Sequence, residues 1–203
     1  QIINTIEKRK PAKFFSSISK EYGDELQYNG VNITEIYNND SNFGNVIGLL
    51  WLKKNVSQKV AKYFELILIL CADHGPAVSG AQNTIVSARA GKDMISSIVS
   101  GLLTIGDKFG GALNGAAKYF YQAYHQKQSA KDFVDTMKKN NMYIPGIGHR
   151  IKSSNNPDKR VEVMKEFLNK NFKNMEYTNY ALEVEQVTLK KRSYLILRIF
   201  PNH

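Results

Sequence analysis

Apolar residues recur along this chain at helical spacing. Between positions 45 and 70, Val46, Ile47, Leu49, Leu50, Leu52, Val60, Phe64 and Ile67 follow the rhythm that turns one face of a helix toward a core. Asn55-Val56-Ser57-Gln58 interrupts them, which predicts two helices with Ser57 as the cap of the second. The run Leu66-Ile67-Leu68-Ile69-Leu70 suits a buried strand as well as a helix, and periodicity alone does not separate the two. From 79 to 103, Gly80, Ala81, Ser87, Ala88, Ala90, Ser96, Ser97 and Gly101 are interleaved with Ile85, Val86, Met94, Ile95, Ile98 and Val99. Small residues let helices approach closely, so this segment predicts a tightly packed helical pair broken at Gly91.

Further helices are expected from 111 to about 126, from Ser129 or Asp132 to Asn140, and from 180 to 189. Another opens at Pro157 with Asn156 as its cap and turns Val161, Val163, Met164, Phe167 and Leu168 inward. Strand signals are few. Gln27-Tyr28 and Val31-Asn32-Ile33 flank Asn29-Gly30, a hairpin pair, and Asn38-Asn39-Asp40-Ser41-Asn42 is polar enough for a loop. The last apolar stretch, residues 193–200, is strand-like, and the chain then stops at Pro201-Asn202-His203, which reads as a fold cut short. The expected architecture is mostly α: an N-terminal segment over 1–43 with a short β-hairpin, then a helical domain over 44–203.

Composition narrows this only slightly. With 203 residues, 42% of them apolar, the chain can bury one good core. The apolar run from Phe64 to Cys71 is interrupted by Glu65 and falls short of the roughly 18 residues that a membrane span needs. Gln1-Ile2-Ile3 carries neither an initiator methionine nor a signal core, so the sequence reads as starting inside a longer protein. The single cysteine, Cys71, gives no disulfide framework and fits the cytosol. The net charge of +10 is spread over Lys8-Arg9-Lys10, Lys53-Lys54, Lys138-Lys139 and Lys190-Lys191-Arg192. That pattern suits a lysine-rich exterior or an anionic metabolite better than nucleic acid, which calls for a dense basic stripe.

Two of the four histidines stand in glycine-rich turns. Asp73-His74-Gly75-Pro76 places a histidine where a helix must end, and the bland alternative is a C-terminal cap. His149 follows Pro145-Gly146-Ile147-Gly148 and precedes Arg150 and Lys152, with Arg160 beyond. A proton-carrying ring beside cations suits a carboxylate or phosphate ligand, and a basic surface loop accounts for it equally well. Gly106 to Ala117 fails as a phosphate loop, because no Gly-Lys-Ser/Thr follows its glycines; a tight helix entry is the better account. Asn83, Asn114 and Asn155 offer neutral hydrogen bonds, with surface or capping roles as the alternative. One cysteine and scattered histidines give no metal-ligand spacing, and no Gly-x-Ser-x-Gly is present.

Taken together, several segments closely resemble the citrate synthase-like module of the ATP-citrate lyase family. They are 72–81 (Ala-Asp-His-Gly-Pro-Ala-Val-Ser-Gly-Ala), 88–93 (Ala-Arg-Ala-Gly-Lys-Asp), 101–107, Gly146-Ile147-Gly148-His149-Arg150 and Asn155-Asn156-Pro157-Asp158. Lys10-Pro11-Ala12 and Gly48-Leu49-Leu50-Trp51 extend the likeness, which runs over about residues 8–196. The resemblance implies a citrate synthase-like helical fold that assembles into homo-oligomers, tetramers in the full enzyme. It also implies cleavage of citryl-CoA to acetyl-CoA and oxaloacetate in the cytosol, serving acetyl-CoA and lipid biosynthesis. Coenzyme A and citrate or oxaloacetate are then the ligands, and ATP and magnesium act in a separate module that first makes citryl-CoA. Neither nucleic acid nor a membrane is implied as a partner.

The same resemblance assigns roles. His149 shuttles the proton of the tertiary hydroxyl, His74 hydrogen-bonds the substrate, Arg150 and Arg160 clamp carboxylates, and Asn83 and Asn114 add neutral contacts. Departures are visible too. Where the family carries a catalytic aspartate after a Leu-Ile-Leu run, this chain reads Leu195-Ile196-Leu197-Arg198-Ile199-Phe200. Gln82 stands where animal relatives carry a second histidine, and Asn114 where citrate synthases carry the histidine that acts on acetyl-CoA. The expectation is a chain inactive by itself. A catalytically dead citrate- or CoA-binding or oligomerisation module, and citrate synthase itself, are the alternatives.

Overall fold

The computed structural model describes residues 16–21, 23–39, 41–148 and 156–190. Contacts divide the chain into two compact units, Gln1–Leu70 and Cys71–His203.

In the first unit, β1 (Ser19–Glu21), β2 (Leu26–Tyr28) and β3 (Val31–Asn32) form an antiparallel sheet in that order. Asn29 and Gly30 join β2 to β3 with φ of 48° and 80°. Positive φ at both central residues is what a two-residue hairpin turn demands, and Asn-Gly supplies it. After the short α1 (Ile33–Asn38), α2 (Phe43–Leu52) begins at a reciprocal cap: Asn42 Oδ1 accepts from Asn45 N–H, and Asn45 Oδ1 from Asn42 N–H, both at 3.1 Å. Helix α3 (Gln58–Leu70) opens at Ser57, whose carbonyl accepts from Val60 and Ala61 N–H. The run 66–70 is therefore helical, as the continuation of an already nucleated helix. Helices α2 and α3 touch backbone to backbone, since a side chain on Gly44 would run into the Ala61 carbonyl, and Ala61 is wholly buried.

The second unit holds α4 (Ser79–Arg89), α5 (Met94–Leu102), α6 (Ala112–His125), α7 (Ala130–Lys139), α8 (Lys159–Asn171) and α9 (Glu176–Lys190). Helices α4 and α5 are the predicted close pair. Gly80 and Gly101 meet, Ser87 Oγ and Ser100 Oγ lie 2.7 Å apart, and the turn between the helices passes through Gly91 at φ 87°. The apolar core is built elsewhere in the unit, from α6, α7, α9 and the segment that follows α7. It contains Phe120, Phe133, Met137, Ile144, Tyr180 and the fully buried Val134 and Val184. Three of its rings meet edge to face, Phe120 with Phe133 at 5.8 Å and each with Tyr180 at 6.4 Å.

Helix α8 departs from expectation in two respects. Its N-cap is Asp158 and not Asn156, so it starts later than Pro157 would have it. Its expected inward face is not buried: Val161 and Val163 are exposed, and Met164, Phe167 and Leu168 are only half-buried. Two short acidic and amide side chains compete for the cap here, and the carboxylate of Asp158 wins because it also pairs with Arg160. The strand-like tail at 193–200 lies outside the described residues. Among those described, the chain is mostly helical with one small antiparallel sheet near its N-terminus, as the pattern predicts.

Candidate functional site

The loop 71–78 links the end of α3 to α4, and local chemistry gives it a definite shape. Asp73 Oδ1 accepts from Gly75 N–H at 3.1 Å, a tight side-chain turn that suits the positive φ of 75° at Gly75. One turn into α4, Gln82 Nε2 donates to the Pro76 carbonyl at 2.8 Å and ties the loop to that helix. The residue noted as a departure at this position thus has a fastening role. His74 lies between these two ties and is exposed.

Its ring meets the start of α8. Arg160 Nη1 lies 3.2 Å from His74 Nδ1. The guanidinium is held from behind by Asp158, whose Oδ1 accepts from Arg160 Nε at 3.0 Å and whose Oδ2 accepts from Nη2 at 2.6 Å. Asp158 Oδ1 also takes the backbone N–H of Arg160 at 3.0 Å, so one carboxylate both caps the helix and aims the side chain two residues later. The hydrogen bond to Asp158, and then its charge, push the Arg160 guanidinium further above its already high range. It is a permanent cation.

Of the six residues predicted for a site, His74 and Arg160 are in contact, although they stand 86 positions apart. Asn83 is exposed on α4, its backbone carbonyl accepting from Ser100 Oγ at 3.2 Å. Asn114 is exposed in the first turn of α6, its N–H on the Gly111 carbonyl. His149 and Arg150, like Asn155, lie outside the described residues. What precedes His149 is well fixed. Gly146 takes φ 78°, and a side chain there would strike Ala116 on α6, while Pro145 packs against Gly115. Ile144 is buried and Ile147 packs on the core, so the glycine loop is seated on α6 up to Gly148.

Asp158 stands in the Asn155-Asn156-Pro157-Asp158 motif, which by itself gives it no role. The signal was present: an acid two residues before an arginine at a helix start can cap and pair at once. At the entry to α6, Gly106 and Phe109 exchange both backbone hydrogen bonds and Gly110 takes φ 78°, a closed turn that feeds the helix. A cavity of about 430 Å³ lies apart from His74 and Arg160, lined by Tyr124, His125, Gln128, Ser129, Tyr180 and Glu183 among others. Burial raises the Tyr180 phenol above its usual range, with the charges of Glu183 and Asp132 adding to it. A histidine and an oriented cation converge at the loop and α8, whereas the cavity mixes the rings of Tyr124, His125 and Tyr180 with the polar side chains of Gln128, Ser129 and Glu183.

The sequence profile of the family described as "Citrate synthase, C-terminal domain" matches residues 51–203. The chain is 52% identical over 191 residues to a probable ATP-citrate synthase subunit 1 of Neurospora crassa, covering 94% of this chain and 28% of that protein. It superposes on an ATP citrate lyase of Methanosaeta concilii solved with (3S)-citryl-CoA, with a TM-score of 0.85, 47% identity, and coverage of 97% of this chain and 32% of that one. An ATP citrate lyase of Methanothrix soehngenii, solved with citrate and coenzyme A, matches with a TM-score of 0.84, 47% identity and the same 97% and 32% coverage. The chain therefore spans less than a third of the length of these relatives. With the profile covering well over half of its residues and the fold and sequence agreeing, the chain belongs to the citrate synthase family, and within it resembles the ATP-citrate lyases.

Proposed function

We propose that this chain forms part of the citryl-CoA-cleaving module of an ATP-citrate lyase, binding citrate or oxaloacetate together with coenzyme A. The observation that carries the reading is the contact between His74 and an arginine that is always charged and already aimed, because citrate's carboxylates need a fixed cation beside a group that can donate to oxygen. In the reaction a base removes the proton of the tertiary hydroxyl. The carbonyl of oxaloacetate forms as the carbon-carbon bond breaks, and the electron pair of that bond moves into the thioester enolate, which takes up a proton to give acetyl-CoA. His149 serves as the base, His74 donates a hydrogen bond to a substrate oxygen, Arg150 and Arg160 hold carboxylates, and Asn83 and Asn114 supply neutral contacts. ATP and magnesium enter only in making citryl-CoA, outside this module.

Two further parts of the reading have their own support. Homo-oligomerisation is supported by α4 and α5, which pack on each other through small residues and leave large ones uncovered. The cytosol is supported by the exposed free Cys71, the chain's single cysteine, which fits a reducing compartment.

Isothermal titration of the chain with citrate, and separately with oxaloacetate, tests the site. Binding in the micromolar to millimolar range that is lost in Arg160→Ala and His74→Ala is the expected result. No heat at millimolar ligand, or binding that survives both substitutions, overturns the site assignment.

A further inference from the structure

The contact between Arg160 and His74 carries a direction. Arginine has five N–H donors and no acceptor, so in the Arg160–His74 hydrogen bond it is Nδ1 of the ring that accepts. A neutral imidazole that accepts at Nδ1 carries its proton on Nε2. The cation that imposes this is not free to turn away, because Asp158 engages Nε and Nη2 as a fork and leaves Nη1 toward the ring. A two-point grip defines both the position and the plane of a guanidinium, which a single charge pair would not. Asp158 is itself fixed, since its Oδ1 also receives the Arg160 N–H of the first turn of α8.

We infer that Asp158 is a positioning residue: it holds Arg160 so that Nη1 donates to His74 Nδ1, leaving the ring with Nε2–H as an outward hydrogen-bond donor. The use of that donor toward a substrate oxygen rests on the function proposed above. In this arrangement Arg160 is also a spacer between an acid and a histidine, and its capacity to bind a carboxylate is limited to the N–H groups the fork and the ring leave over.

The test is nuclear magnetic resonance of the full chain labelled with ¹⁵N. Long-range proton–nitrogen correlations of the His74 ring, assigned by their loss in His74→Gln, report which nitrogen bears the proton and whether Nδ1 is an acceptor. Near neutral pH we expect a bare, hydrogen-bonded Nδ1 and a protonated Nε2. Asp158→Ser keeps a capping oxygen and removes the fork, so the Nδ1 signal moves toward that of an unbonded nitrogen while helix content is retained. Asp158→Asn, which also retains the cap, is the second variant. Citrate binding weakens about tenfold in Asp158→Ser, the scale of one lost charge-assisted hydrogen bond.

A protonated Nδ1 in the unsubstituted chain overturns the inference without any variant. So does an Asp158→Ser chain whose His74 nitrogens are unchanged. If citrate fails to bind the unsubstituted chain while the nitrogens behave as expected, the proposed function falls and the positioning role stands.

Discussion

Among the described residues two aspartates cap helices, and their neighbours decide what else each one does. Asp93 caps α5: its Oδ1 accepts from Ser96 N–H at 3.0 Å and its Oδ2 from Ser96 Oγ at 2.6 Å. Those hydrogen bonds, the side-chain one foremost, hold its carboxyl below the usual carboxylate range. A folded-state pKa below the unfolded one means stability that is present above the ordinary carboxylate value and is lost as pH falls through the lowered one. Asp93→Asn keeps an accepting oxygen and removes the charge. Its melting temperature should therefore lie below that of the unsubstituted chain at neutral pH, with the gap closing as the pH is brought below about 4, the ordinary aspartate value. A gap that persists in acid would put the effect on packing instead of charge. Asp158 instead caps through the N–H two residues on, where the side chain is Arg160 and not a hydroxyl, so its cap also directs a cation. The difference between a structural cap and a part of the candidate site is one neighbouring side chain.

Among the elements, the α4–α5 pair gives the sharpest test of packing. A methyl group added at Gly101 would meet Thr84 Oγ1, which can rotate, and the Gly80 carbonyl, which cannot. Alanine in place of a helical glycine gains about 1 kcal/mol of propensity, and overpacking costs about 1–3 kcal/mol. Because one obstacle is backbone, Gly101→Ala should be destabilising by roughly 1 kcal/mol in urea unfolding, whereas Ser129→Ala, which removes the α7 cap, should cost a similar amount for a different reason. Stabilisation by Gly101→Ala would mean that the pair is less tightly closed than its contacts indicate. The pair itself was legible in the sequence, because small residues at helical spacing leave few other ways to pack. So was the Asn29-Gly30 hairpin, where positive φ selects the residue type. Strand β1 was not legible: Ser19-Lys20-Glu21 has no apolar alternation, and it is a strand only because β2 offers it an edge. The start of α8 was misplaced because Pro157 and Asn156 suit a first turn, while the ion pair that moves the cap to Asp158 is a side-chain effect that helix rules do not contain. In the candidate site each residue could be read singly, but the meeting of His74 with Arg160 depends on how the loop at 71–78 lies against α8, and no local pattern records that.

At the scale of the molecule, the same small residues that close α4 on α5 turn the large ones outward. Met94 is 75% exposed, Ile95 70% and Leu103 79%, with Ile85, Val86, Ile98 and Leu102 also uncovered. Monomeric proteins rarely leave contiguous apolar patches of more than a few hundred Å² in water, so a second copy is the cover we expect for this face. Against association stands the net charge of +10, which repels like chains. The two effects respond oppositely to salt: hydrophobic burial is indifferent to moderate ionic strength, while repulsion is screened once the Debye length falls to about 10 Å, near 0.1 M. Sedimentation should therefore show association that strengthens between about 0.01 M and 0.1 M salt. A charge set into the patch, as in Ile95→Glu, should abolish it at every salt concentration, because the desolvation of an unpaired carboxylate outweighs the apolar area that one contact provides. Citrate binding in that variant then tells whether the site at His74 and Arg160 is complete within one copy. Affinity equal to that of the unsubstituted chain makes each copy self-sufficient, and affinity lost together with the oligomer makes assembly a condition for the site.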